Sequence, residues 1–301
     1  VTPTLHGDVK AGQHKYLTLP VSAEDLHISR ASRNFWFNVD GHGAWSTTGN
    51  SARQIAAGFA AQGAEQVDLQ AGFLWHRLTR SNPALGLRAE VTSFVPSSAD
   101  LPTKASLVEL MQVVLTNTGP QPLTLTPTAA IPIYGRSADR VRDHRHVTSL
   151  LHRIYTHSYG VLVRPTLTFD ERGHRPNTVS YAVLGAEGDG TAPTTFFPVM
   201  ETFIGHGGSL EWPQAVVGPD CPGFDAGQIL SGCEAIGGLR FRPITLESGQ
   251  RQAYVLVLAI LDQDADVEAV MAHYGDQTRF ETWLGRTRSH WEQKLASLQW
   301  D

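Results

Sequence analysis

The stretch Arg33-Asn34-Phe35-Trp36-Phe37-Asn38-Val39-Asp40-Gly41-His42-Gly43-Ala44-Trp45-Ser46 decides the fold. Phe35, Phe37 and Val39 alternate with Asn34, Trp36 and Asn38, which is the two-residue period of a strand. Asp40-Gly41-His42-Gly43 then supplies residues that tolerate a tight turn, and Ala44-Trp45-Ser46 resumes the strand, so the stretch reads as a β-hairpin. Working outward, Phe73 to Arg80 and Leu87 to Val95 flank the turn Ser81-Asn82-Pro83 as a second pair. A third pair is expected where Leu107 to Thr116 leads through Asn117-Thr118-Gly119-Pro120 to Leu123 and Leu125 on one face, with Thr124 and Thr126 on the other. Leu239-Arg240-Phe241-Arg242 and Thr245-Leu246-Glu247-Ser248-Gly249-Gln250 precede an apolar run from Ala253 to Leu261. At nine residues this run is far short of the roughly 20 that span a bilayer as a helix, and it reads as a buried strand. Many strands punctuated by Gly, Pro and Asn turns imply a mainly β chain built as a large antiparallel sandwich.

Helical spacing is confined to the C-terminal end. Val267, Val270, Met271 and Tyr274 follow Asp264 and Asp266 and stop at Gly275; Phe280, Leu284, Trp291, Leu295 and Leu298 then form one stripe. The tryptophans of this second helix suit packing on the sandwich or against another domain. The expected division is therefore a β-sandwich over 1–263 and a helical segment over 264–301. The 301 residues carry 24 basic and 29 acidic side chains, a net charge of −5, which argues against nucleic-acid binding by global charge. Hydrophobic residues at 41% exclude a disordered chain. Cys221 and Cys233 are too few for a disulfide framework and fit a reduced, cytoplasmic thiol pair. The first residue, Val1, suggests a processed chain or a piece of something longer.

The densest polar constellation runs from Arg136 to His157. It holds Arg136, Arg140, Arg142, Arg145 and Arg153 with His144, His146, His152 and His157, against only Asp139 and Asp143. Guanidinium groups offer planar, bidentate donors, so such a cluster suits phosphate or a sugar phosphate; the same composition also describes a solvated loop whose charges pair with each other. His144 and His146 beside Asp143 are metal-ligand types, but no second pair at ligand spacing completes a site, and no metal or cofactor is expected. Glu171, in Phe169-Asp170-Glu171-Arg172-Gly173-His174, and Glu211, before Trp212, are the nearest approach to a glycosidase carboxylate pair, and sequence does not bring them together. Trp212 is read as a core residue or a platform for a sugar ring, and Trp36 as a second stacking candidate. No nucleophile elbow, Walker loop or dinucleotide fingerprint occurs.

Several of these segments together resemble the N-terminal sandwich domain of glycoside hydrolase family 94, the cellobiose, cellodextrin, chitobiose and β-1,2-oligoglucan phosphorylases with the related domain of cyclic β-1,2-glucan synthases. The resemblance is carried by the opening Val1 to Asp8, by Phe35-Trp36-Phe37 with Asp40-Gly41-His42-Gly43-Ala44-Trp45-Ser46, and by Asn117-Thr118-Gly119. Pro132 to Asp139, Arg142 to Ser149 and Pro165 to His174 are similar to the oligoglucan-type members.

The resemblance implies a galactose-mutarotase-like supersandwich followed by linker helices that precede an α/α-barrel. In the family that barrel carries the catalytic aspartate of an inverting phosphorolysis and most of the phosphate contacts. No catalytic residue of this chain follows from the resemblance, and the chain alone is expected to be inactive. The family's first strand is expected to lie before Val1. By the same resemblance, Arg136, Asp139, Arg142, His144 and His146 would line the edge of the intact enzyme's active site. Its substrates would be a β-gluco-oligosaccharide and inorganic phosphate, and the enzyme would be a homodimer, with neither nucleic acid nor membrane as a partner. Two other readings stand beside it. One is a freestanding carbohydrate-binding sandwich, with Trp36 or Trp212 as its platform; the other is a mutarotase-like sugar epimerase using His144, His146 and Glu171.

Overall fold

A computed structural model describes residues 4–5, 7–21, 33–59, 65–97, 107–138, 149–170, 173–218 and 221–298. In chain order the strands are β1 (Lys10–Ala11), β2 (Lys15–Tyr16), β3 (Asn34–Val39), β4 (Gly43–Ser46), β5 (Gln66–Gly72), β6 (Trp75–Asn82), β7 (Leu87–Phe94), β8 (Leu107–Asn117), β9 (Leu123–Ile133) and β10 (Arg153–His157). They continue with β11 (Gly160–Val163), β12 (Leu167–Asp170), β13 (Gly173–Pro176), β14 (Val179–Glu187), β15 (Thr195–Val199), β16 (Ile229–Ser231), β17 (Ala235–Arg240), β18 (Ile244–Leu246) and β19 (Arg251–Asp262). One antiparallel sheet of nine strands has the order β16-β10-β11-β14-β19-β8-β7-β6-β5. A second, of six, runs β15-β17-β9-β3-β4 with β18 also paired to β9.

The opening hairpin forms as read. Val39 pairs with Gly43 and Trp36 with Ser46, and the turn is closed by Gly41 and Gly43 at φ 73° and 80°, a region that favours glycine. Alternation sends Phe35, Phe37 and Trp45 between the sheets, where Phe35 lies 5.1 Å from Tyr254 and 5.8 Å from Phe241 by ring centroids. Trp36 and Ala44 point the other way, beneath the short helices Met200–Ile204 and Gln214–Val217. The second hairpin, β6 to β7, also forms, with Asn82 opposite Leu87.

The third expected pair is corrected. β8 lies between β7 and β19 in the nine-stranded sheet, whereas β9 pairs with β3, β17 and β18 in the other. The turn is an arch that carries the chain between layers. Asn117 holds it: its Nδ2 donates to the carbonyls of Gln121 and Leu246 at 2.8 and 2.9 Å, and its Oδ1 accepts from the Gly119 amide at 2.9 Å. The return arch from β18 to β19 is tied to the same residue, through Asn117 N–H to Gln250 O and Gly249 N–H to Asn117 O.

β19 explains the uninterrupted apolar run. Tyr254, Leu256, Leu258 and Ile260 face the inter-sheet core, and Val255, Val257, Ala259 and Leu261 face a second core under the C-terminal helices. Those helices, Val267–Tyr274 and Gln277–Ala296, are capped by Asp266 and Asp276, whose carboxylates accept from Ala269 N–H and Arg279 N–H. The contact face of the longer helix is Phe280, Trp283 and Thr287 rather than the full expected stripe; Leu284, Trp291 and Leu295 are half-buried and Leu298 is exposed. Among the described residues, the buried contacts of this helix with the sheet come from Phe280, Trp283 and Thr287.

The core makes two opposed predictions. Phe35→Ala empties the centre of the aromatic cluster and should cost about 3–5 kcal/mol. Tyr254→Phe removes a buried hydroxyl without a partner among the described residues and should be neutral or stabilising by up to about 1 kcal/mol. Urea midpoints at unchanged slope measure both; a marked loss in Tyr254→Phe would show that the hydroxyl has a partner.

Candidate functional site

β9 ends in Tyr134-Gly135-Arg136-Ser137, where the chain leaves the six-stranded sheet. Gly135, at φ 63°, a left-handed conformation that favours glycine, lets it turn beside Tyr181, Val163 and His152. Arg136 exchanges backbone hydrogen bonds with Tyr16, at 2.9 and 3.2 Å, and its guanidinium carbon lies 4.1 Å from the Tyr134 ring centroid. A buried, stacked guanidinium fixed to the backbone at both flanks is preorganised. Beside it opens a cavity of about 190 Å³. Pro132, Ile133, Met200, Ile204 and Leu210 supply apolar walls; Arg136, Ser149, His152 and Glu234 supply the polar edge.

His152 is 2% exposed. Burial, with the positive charge of Arg136 adding to it, pushes its pKa down to about 4, so the imidazole is neutral near pH 7. Among the described residues, the formal charges on the cavity edge are those of Arg136 and Glu234.

Arg136 therefore stands at a pocket, and Ser149, across residues 139–148 in sequence, stands at the same pocket. Asp139, Arg142, His144 and His146 lie outside the described residues, as does Glu171. Trp36 is corrected: it is buried among Phe197, Phe203 and Val216 and offers no face to a sugar. Alternation alone placed it on the outward face, and the helices Met200–Ile204 and Gln214–Val217, distant in sequence, cover it. Trp212 is 42% exposed, in a short turn where Ser209 and Trp212 bridge, so it is available for stacking. His152 lay in the basic window without being singled out, and Glu234 gave no local signal. Neither did Glu65, whose carboxylate accepts from Trp45 Nε1 at 2.6 Å, Arg80 Nη1 at 2.8 Å, Asn82 Nδ2 at 2.9 Å and Gln54 Nε2 at 2.9 and 3.0 Å. That many donors satisfy it internally, which marks a structural tie between the hairpins. Among the described residues no three His, Cys, Asp or Glu side chains converge as a metal site, and no helix is long and apolar enough to cross a membrane.

Two antiparallel layers, a third layer of helices on the larger sheet and a polar-edged pocket at a strand end define a β-supersandwich domain. The family model for the glycosyl hydrolase 94 supersandwich domain matches residues 42–277, and the chain belongs to this carbohydrate-active family. No curated protein matches the chain. Among solved structures, a polysaccharide lyase is similar at 10% identity and a TM-score of 0.37, over 81% of this chain and 29% of the lyase chain. This chain thus spans under a third of the lyase's length.

The buried imidazole gives a pH dependence with a definite sign. Its folded pKa, about 4, lies below the ordinary 6.5, so between these values the unfolded chain binds more protons. Stability should fall as pH drops from about 6.5 to about 4, by on the order of 3 kcal/mol at most for this group. His152→Leu should flatten the slope only in part, because His76 is shifted in the same direction. Urea titrations at several pH values check this, and an unchanged slope in the variant refutes it.

Proposed function

We propose that this chain is the non-catalytic supersandwich of a glycoside phosphorylase that acts on β-linked gluco-oligosaccharides with inorganic phosphate as co-substrate. In this reading residues 1–263 are the sandwich, and 264–301 lead toward a catalytic α/α-barrel that forms a cytoplasmic homodimer with it. The observation that carries the reading is the placement of Arg136. It is held by Tyr134 and Tyr16 at the edge of a pocket. Ser149, on the far side of the segment containing Arg140, Arg142, His144, Arg145 and His146, lines that pocket too. A fixed guanidinium, followed in sequence by further arginines, suits an anionic or hydroxyl-rich substrate at the rim of a neighbouring active site.

The purified chain, incubated with β-1,2- and β-1,4-gluco-oligosaccharides and phosphate, should release no glucose 1-phosphate above a mock purification. Product would place a catalytic acid within the chain and overturn the division of labour. In the intact phosphorylase, Arg142→Ala and His144→Ala should each raise the apparent KM for oligosaccharide or phosphate by about tenfold, the loss of one charge-assisted hydrogen bond. Unchanged values for both substrates would remove the segment from the site.

A second reading, a freestanding carbohydrate-binding sandwich, is favoured by the exposure of Trp212. It requires oligosaccharide affinity in the chain alone that Trp212→Ala abolishes, which calorimetry measures directly.

A further inference from the structure

An edge strand leaves a row of backbone donors and acceptors unpaired, and a protein closes that row, shortens it or pairs it with another chain. The two sheets of the sandwich end in β16 and β5, and in β15 and β4. Three of these edges are guarded. β16 is three residues long. At β15, Phe196 exchanges backbone hydrogen bonds with Phe224 at 3.0 and 2.7 Å. At β4, the Gln54 amide closes the edge: its Oε1 accepts from Ser46 N–H at 2.9 Å and its Nε2 donates to Ser46 O at 3.0 Å.

β5 has no such guard among the described residues. It pairs with β6 along all seven of its residues, from Gln66 opposite Ser81 to Gly72 opposite Trp75, and with no strand on its other side. All seven are exposed. The strand holds neither lysine nor proline, the usual blocks to edge pairing, and Asp68 is its one charge. Its two faces differ. Val67, Leu69 and Ala71 lie on the face that Leu78, opposite Leu69, turns into the inter-sheet core; Gln66, Asp68 and Gln70 lie on the other. Val67 and Leu69 are nevertheless 44% and 41% exposed.

We propose that β5 pairs antiparallel with β5 of a second copy of this chain, across a two-fold axis at Leu69, joining the two nine-stranded sheets into one. The sequence of the strand selects that occupant, because an isologous interface must be complementary to itself. With the axis at Leu69, Leu69 meets its own copy, Val67 meets the partner's Ala71 and Asp68 meets the partner's Gln70, so apolar residues face apolar ones and the carboxylate faces an amide. Gln70 Nε2 already donates to Asp68 Oδ2 at 3.1 Å within one chain, which shows that the two side chains suit each other on this face. An axis at Asp68 would set two carboxylates directly opposite, which is unfavourable. An axis at Leu69 is also the register that uses the whole strand. This inference goes beyond the proposed function, since it locates an interface inside this chain whichever activity the chain supports.

The test is sedimentation equilibrium of the whole chain, which should show a reversible dimer. Leu69→Lys sets two ammonium groups face to face and should weaken the dimer on the order of a hundredfold. Because Leu69 lies on an exposed strand, the thermal midpoint at a dilution where the wild type is monomeric should not move. Mild oxidation checks the register independently of that variant. Leu69→Cys should form a disulfide-linked dimer, because the two copies of the residue face each other. Gln66→Cys should not, because six residues of antiparallel offset separate its copies by roughly 20 Å, far beyond disulfide reach. The wild type, with its half-buried Cys221 and Cys233, is the background control. A chain that stays monomeric at its highest soluble concentration overturns the proposal, whatever else the edge then accepts. So does a dimer that a folded Leu69→Lys leaves intact, or one in which Gln66→Cys cross-links and Leu69→Cys does not. Each of these results is independent of whether the chain releases glucose 1-phosphate.

Discussion

A strand that is apolar on both faces can exist only between two layers, and β19 is such a strand. Tyr254, Leu256, Leu258 and Ile260 need a sheet on one side; Val255, Val257, Ala259 and Leu261 need something on the other. Full burial of an aliphatic or aromatic side chain is worth about 1.5–3 kcal/mol, so leaving either face wet would cost an amount comparable to a domain's net stability. The six-stranded sheet answers the first demand and the two C-terminal helices the second. The same strand joins the halves of the larger sheet, pairing with β14 from Val179 opposite Asp262 to Glu187 opposite Tyr254, and with β8 from Leu107 opposite Ile260 to Thr116 opposite Arg251.

The edges of this sandwich are tied by buried or half-buried ion pairs rather than by more hydrocarbon. Arg33 meets Glu109, Arg80 meets Glu65, and Arg242 holds Glu187 through two hydrogen bonds of 2.7 and 2.9 Å. Replacing such a pair by hydrocarbon often leaves stability unchanged, yet removing one partner strands the other. Their service is to fix which strand ends meet.

What was legible in the sequence was whatever is written locally. Two hairpins could be read because turn residues and alternation occur within a few residues of each other, and the apolar run announced a buried strand by its own composition. The third turn could not be resolved, because Asn117-Thr118-Gly119-Pro120 encodes a reversal but not whether the strands rejoin; the partners of Asn117 that settle it are near Leu246 and Gln250. Trp36 shows the same limit: its outward face was readable, its cover was not. Of the candidate site, Arg136 emerged from charge clustering, whereas Glu234 and Glu65 acquire meaning only when distant strands align. The family resemblance reached the supersandwich through spaced motifs, which register the arrangement of many such contacts at once.

Asn117 joins the arch leaving β8 to the arch entering β19, although these are more than 120 residues apart in sequence. During synthesis, therefore, β8 and β14 emerge long before the strand that lies between them. At roughly 5–20 residues per second, the ribosome needs several seconds after completing β14 to deliver β19, and throughout that interval two long apolar strands present unpaired edges. The nascent domain is then at its most adhesive, and its yield in a cell depends on what shields β8 and β14 until the last strand slides in.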